Sequence, residues 1–132
     1  MKRKKKVFST KKGTSNPDMK ASAMILEMAS DYIMMGETQE ERQNALNTAC
    51  TAWNLSLLPE DARKQRLIRY IHEVKLANPG IEEDDLKGIQ YNVDLLINEK
   101  IRLFPNAHKR MLNAEIVVVD GKATVTVLST DT

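Results

Sequence analysis

Between Ile81 and Phe104, apolar residues return at steps of three and four: Leu86, Ile89, Val93, Leu96, Ile97, Ile101 and Phe104. That spacing lays them along one side of a helix with 3.6 residues per turn. Pro79-Gly80 precedes the run. Glu82, Glu83, Asp84 and Asp85 suit the positive end of a helix dipole, and Lys100 and Arg102 suit the negative end. Pro105 opposes any continuation. A stripe this long has to be buried, so the pattern predicts a central amphipathic helix over about 81–104.

Three shorter patterns come before it. Asn16-Pro17-Asp18 has the form of a helix start, and the helix it predicts runs to about Met35 and stops at Gly36. Its stripe is Ala21, Ile25, Met28, Ala29 and Tyr32, with Met24, Ile33 and Met35 at the margins. Thr38 and Glu41 form a capping box for a second helix, which carries Leu46, Ala49, Cys50, Trp53 and Leu57 on one face and Leu55 on the other. After Pro59, the acidic pair Glu60-Asp61 opens a third helix with Leu67, Tyr70, Ile71 and Val74 inward, ending near Asn78-Pro79-Gly80. The short links favour antiparallel neighbours.

Beyond Pro105 the period changes. Ala114 to Val119 and Lys122 to Leu128 flank Asp120-Gly121, a strong hairpin signal. A two-residue turn pairs Val118 with Ala123 and Ile116 with Val125. It gathers Ala114, Ile116, Val118, Ala123, Val125 and Val127 on one apolar face. A three-residue loop gives a pattern nearly as good, which leaves the register open. The expected fold is α+β, mainly α: a four-helix assembly around the 81–104 helix, with a C-terminal β-hairpin over about 114–128.

Composition adds the domain plan. A chain of 132 residues forms one domain with a real core, here expected over 16–132. The single cysteine, Cys50, offers no internal disulfide, and no apolar run approaches the roughly 20 residues of a membrane span. These features make a cytoplasmic protein with no membrane contact the default. The net charge of +2 conceals a division: Lys2, Arg3, Lys4, Lys5, Lys6, Lys11 and Lys12 precede every acidic residue, leaving 13 basic against 18 acidic side chains beyond them. Residues 1–15 therefore read as a basic disordered tail on an acidic body. Such a tail is either a solvated segment that aids solubility or folds back on the acidic body, or a nucleic-acid contact that would make the protein nuclear or nucleoid-associated.

Candidate chemistry is sparse. Cys50, His72 and His108 lack metal-ligand spacing, and the run Glu82 to Asp85 lacks the alternation of a calcium loop. A Cys50 nucleophile with a histidine base conflicts with the apolar neighbours Leu46 and Trp53. The five glycines are isolated, so no phosphate loop or dinucleotide fingerprint exists. The sequence thus predicts no catalytic residues, no metal and no cofactor. Its first functional expectation is a small non-enzymatic protein-interaction module, binding a protein partner or itself. A homodimer would form through the hairpin edge, with Val117, Val119, Thr124 and Thr126 as self-association candidates; the alternatives at that edge are a partner's strand and the chain's own Lys6-Val7-Phe8-Ser9, which would leave a monomer. The alternative is a nucleic-acid-associated accessory protein, tethered by its tail and aided by Arg63, Lys64, Arg66 and Arg69 on the third helix. Glu60 and Asp61 at the start of that helix oppose a DNA-recognition role.

Overall fold

The computed structural model describes residues 20–130. The basic segment 1–15 and the Asn16-Pro17-Asp18 signal lie outside the described residues. Lys20 is extended, so the first helix, α1, begins at Ala21 and spans Ala21–Ile33. It is followed by α2 (Gln39–Ser56), α3 (Glu60–Ala77), α4 (Glu83–Leu103), β1 (Met111–Val119) and β2 (Lys122–Ser129). Four helices and a two-stranded antiparallel hairpin make the fold α+β, mainly α. Within the described residues no helix is long and apolar enough to cross a membrane.

Local chemistry explains the boundaries. A Cβ on Gly36 would stand 3.0 Å from the Arg42 main-chain nitrogen and from the Glu41 Cβ, so a side chain here would press on the start of α2. Thr38 Oγ1 then accepts from the Glu41 amide at 3.1 Å and caps α2. The Glu41 carboxylate accepts from the Glu37 amide at 2.7 Å rather than from Thr38, so the box closes one residue early. In the hairpin, Asp120 and Gly121 both take positive φ (53° and 79°), the pair that a type I′ turn requires. That turn fixes the register as Val118 with Ala123 and Ile116 with Val125. An irregularity between Met111 and Asn113 lets β1 begin three residues before the hydrophobic run suggested.

The core lies between α1, α2, α4 and the inner face of the hairpin. α4 packs against all three other helices, and α2 adds β1 to the same set of neighbours. α1 is covered by α2, α4 and β2 together. That is why Met24, Leu26 and Ile33 are buried beside Ile25 and Met28, although the sequence placed Met24 and Ile33 at the margin. Trp53, Leu46, Val93, Ile25, Ile33 and Ile116 are fully enclosed, and Leu55, on the far side of α2, is buried as well.

Several expected core positions move outward. Tyr32, Ile71, Val74 and Ile89 are half-buried, and Ile101 is 39% exposed. Helical geometry accounts for Ile101, which sits about 80° around α4 from Val93, at the edge of the stripe. Lys100 takes the inward place instead. Its ammonium donates to the Ala107 carbonyl at 2.8 Å and lies 5.1 Å above the Trp53 ring. The residue expected to complement the helix dipole is therefore buried, at 3% exposure. α3 is the outermost helix: of its 18 residues only Leu67 is buried.

Candidate functional site

Two surface features stand out, the edges of the hairpin and a groove beside α3. The sequence pattern left both hairpin edges open. The structure covers much of that of β1, from Met111 to Ile116. The Ile116 amide donates to Gln43 Oε1 at 3.1 Å, and Gln39 Nε2 donates to the Ile116 carbonyl at 2.5 Å. Gln43 Nε2 reaches the Ala114 carbonyl at 2.9 Å. Farther along, Asn54 accepts from the Met111 amide and donates to its carbonyl, both at 2.8 Å. Trp53 Nε1 donates to the Lys109 carbonyl at 2.7 Å. One side of α2 thus acts as a surrogate strand whose amide side chains satisfy the β1 main chain.

β2 is treated differently. Both main-chain groups of Ile116 face α2, so Ile116 and Val125 are a non-hydrogen-bonded pair of the ladder. In an antiparallel ladder the outward groups alternate, which turns those of Val125 and Val127 away from β1. Among the described residues nothing donates to or accepts from them. Ala123, next to the turn, is buried, whereas Val125 and Val127 stay half-exposed. Val117, Val119, Thr124 and Thr126 are all exposed on the outer face, with Val117 paired to Thr124. The strand has no proline and no bulge of its own, and its only charge, Lys122, stands at the turn end.

The second feature is a concavity of about 410 Å³ between α2, α3 and the approach to β1. Arg66 and Arg69 come to it from α3 and Arg110 from the other side, with Leu55 of α2 and Leu58 of the link to α3 in the lining. Tyr70 and Glu73 complete the α3 wall. The four basic candidates on α3 therefore separate. Arg66 and Arg69 converge, Lys64 does not line the groove, and Arg63 donates to the Leu58 carbonyl at 3.1 Å. Arg110 carries no sequence signal for this site, because nothing local links it to α3. Lys2, Arg3, Lys4, Lys5, Lys6, Lys11 and Lys12 lie outside the described residues.

Cys50 is buried, and burial pushes its thiol up to about 11, which keeps it protonated at neutral pH. His72 and His108 are exposed. Among the described residues no three His, Cys, Asp or Glu side chains group as metal ligands. No protein-family model, curated protein or solved structure matches this chain.

Proposed function

We propose that the protein is a non-enzymatic interaction module that associates by adding a strand to β2, and that a second copy of the chain is the added partner. The observation that carries this reading is the asymmetry of the hairpin. On β1 the main-chain groups of Ile116 and Met111 and the Ala114 carbonyl are held by Gln39, Gln43 and Asn54, while the outward groups of Val125 and Val127 on β2 have no partner among the described residues. Main-chain hydrogen bonds supply affinity in strand addition, and alternate side chains supply specificity.

Self-pairing fits the strand's own chemistry. Thr124-Val125-Thr126 reads the same in both directions, as a two-fold antiparallel pairing favours. Lys122 at one end keeps like charges apart in such a pair, and threonine opposite threonine is a favourable cross-strand contact. Two strands alone are marginal in water, and pairing would make a four-stranded sheet backed by helices on its inner face.

Light scattering on the full chain over a concentration series tests the reading. The mass should rise from one chain to two. Val127→Pro, which deletes an outward N–H while sparing the ladder to β1, should hold it at one. Val127→Ala keeps that N–H and should still associate. A single-chain mass for the unaltered protein throughout the series would overturn the proposal.

A further inference from the structure

The groove beside α3 holds chemistry that the fold leaves unused. Arg66, Arg69 and Arg110 line one concavity, and none forms an ion pair or a side-chain hydrogen bond among the described residues. Three unpaired cations around a single hollow repel one another and gain by meeting an anion. A guanidinium presents a planar fork of donors that matches the oxygens of phosphate in a bidentate way.

Arg110 is also held ready. Its amide donates to Thr130 Oγ1 at 2.9 Å, and its carbonyl accepts from the Thr130 amide at 3.0 Å. The next residue, Met111, is clamped at both main-chain groups by Asn54, itself part of the lining. The point from which the Arg110 side chain leaves the backbone is thus fixed from two sides, which lowers the ordering cost of binding.

We propose that this groove binds a phosphate ester of nucleotide size. Arg66, Arg69 and Arg110 engage the phosphate, and the Tyr70 ring with Leu58 receives a flat, weakly polar body. A volume of about 410 Å³ falls within the range of small-ligand sites and is far too small to seat a duplex. Glu73, the one carboxylate in the lining, disfavours a second phosphate but accepts from N–H donors such as those on a nucleobase. A free nucleotide and one residue of a single strand share this chemistry, and stacking on a tyrosine serves either. The inference is independent of the β2 edge.

The experiment is a titration of the isotope-labelled full chain with adenosine monophosphate, followed through the backbone amides. Shifts should concentrate at Asn54, Tyr70 and Arg110. Arg66→Glu and Arg110→Glu should each weaken binding about tenfold or more, the loss of one charge-assisted pair. Lys64→Glu, outside the groove, should leave it unchanged. A single-stranded oligoadenylate that binds much more tightly than the mononucleotide would assign the source to nucleic acid, and equal affinity would assign it to free nucleotide. The proposal is overturned by any of four results: no shifts, shifts elsewhere, equal weakening by Lys64→Glu, or inorganic phosphate binding as well as the nucleotide. Displacement of the nucleotide by a tighter-binding glutamate-rich peptide would also overturn it, in favour of an acidic protein partner.

Discussion

Gln43, on a helix, hydrogen-bonds the main chain of Ile116, on a strand, where a neighbouring strand would ordinarily bond. Its Oε1 accepts from the Ile116 amide, and its Nε2 donates to the Ala114 carbonyl two residues away. Ile116 is fully buried, so its amide has little water to turn to if Gln43 is lost. Gln43→Ala should cost about 1–3 kcal/mol in chemical denaturation, the usual penalty for stranding a buried polar group. A change below about half a kcal/mol would mean that the main chain finds other partners.

Trp53 joins α2 to the loop that leads into the hairpin. It is fully enclosed, donates to the Lys109 carbonyl, and stands 5.9 Å from the Phe104 ring. Trp53→Ala should lose about 3–5 kcal/mol from cavity formation and lost transfer energy. Trp53→Phe keeps much of the packing and should lose about 1–3 kcal/mol through the unpaired Lys109 carbonyl. Equal losses in urea denaturation would show that the hydrogen bond, not the ring volume, matters here.

The alkaline limb of stability carries opposing contributions: burial raises the pKa of the Cys50 thiol and of the Tyr32 hydroxyl and lowers that of Lys100. The Cys50 thiol ionises near its ordinary value of 9.0 in the unfolded chain but only at about 11 when folded. Between these values the unfolded chain gives up the proton first, so stability falls as pH rises, by up to roughly 2 kcal/mol. Burial lowers the Lys100 pKa, which has the reverse sign: the unfolded chain holds the proton longer, and stability rises as pH climbs toward the ordinary lysine value. The difference between the parent and Cys50→Ala isolates the thiol. Denaturant midpoints at pH 8 and 10.5 should show a smaller alkaline loss in the variant. Parallel loss in both proteins would place the thiol in a wetter site than its burial implies.

On α4, Val93 is fully enclosed and Ile101 is 39% exposed. Val93→Ala should therefore cost about 2 kcal/mol or more, and Ile101→Ala less than about 1 kcal/mol. Thermal or urea denaturation of the pair checks the assignment of the helix face, and a larger loss at Ile101 would reverse it.

Features set by neighbouring residues were legible before any coordinates. The stripe from Leu86 to Phe104 and the turn at Asp120-Gly121 each encode a periodicity or a dihedral requirement within a few positions. The clamps from Gln39, Gln43 and Asn54 were not legible, because an amide on a helix reads as a solvated residue until a strand is laid beside it. By position alone Lys100 is a dipole partner, since only the tertiary fold brings the Ala107 carbonyl and the Trp53 ring to it. Arg66 and Arg69 were visible as part of a basic helix, but their convergence with Arg110 depends on how α3 lies against α2.

The claim that β2 receives a strand is tested most directly by the exchange of its own amides. Hydrogen exchange at Val125 and Val127 should be slow in concentrated protein and accelerate on dilution, as the added strand leaves and the amides meet water. The Ile116 amide, held by Gln43 within one chain, should stay protected at every concentration. Fast exchange at Val125 and Val127 in concentrated protein, with Ile116 still protected, would contradict strand addition at this edge.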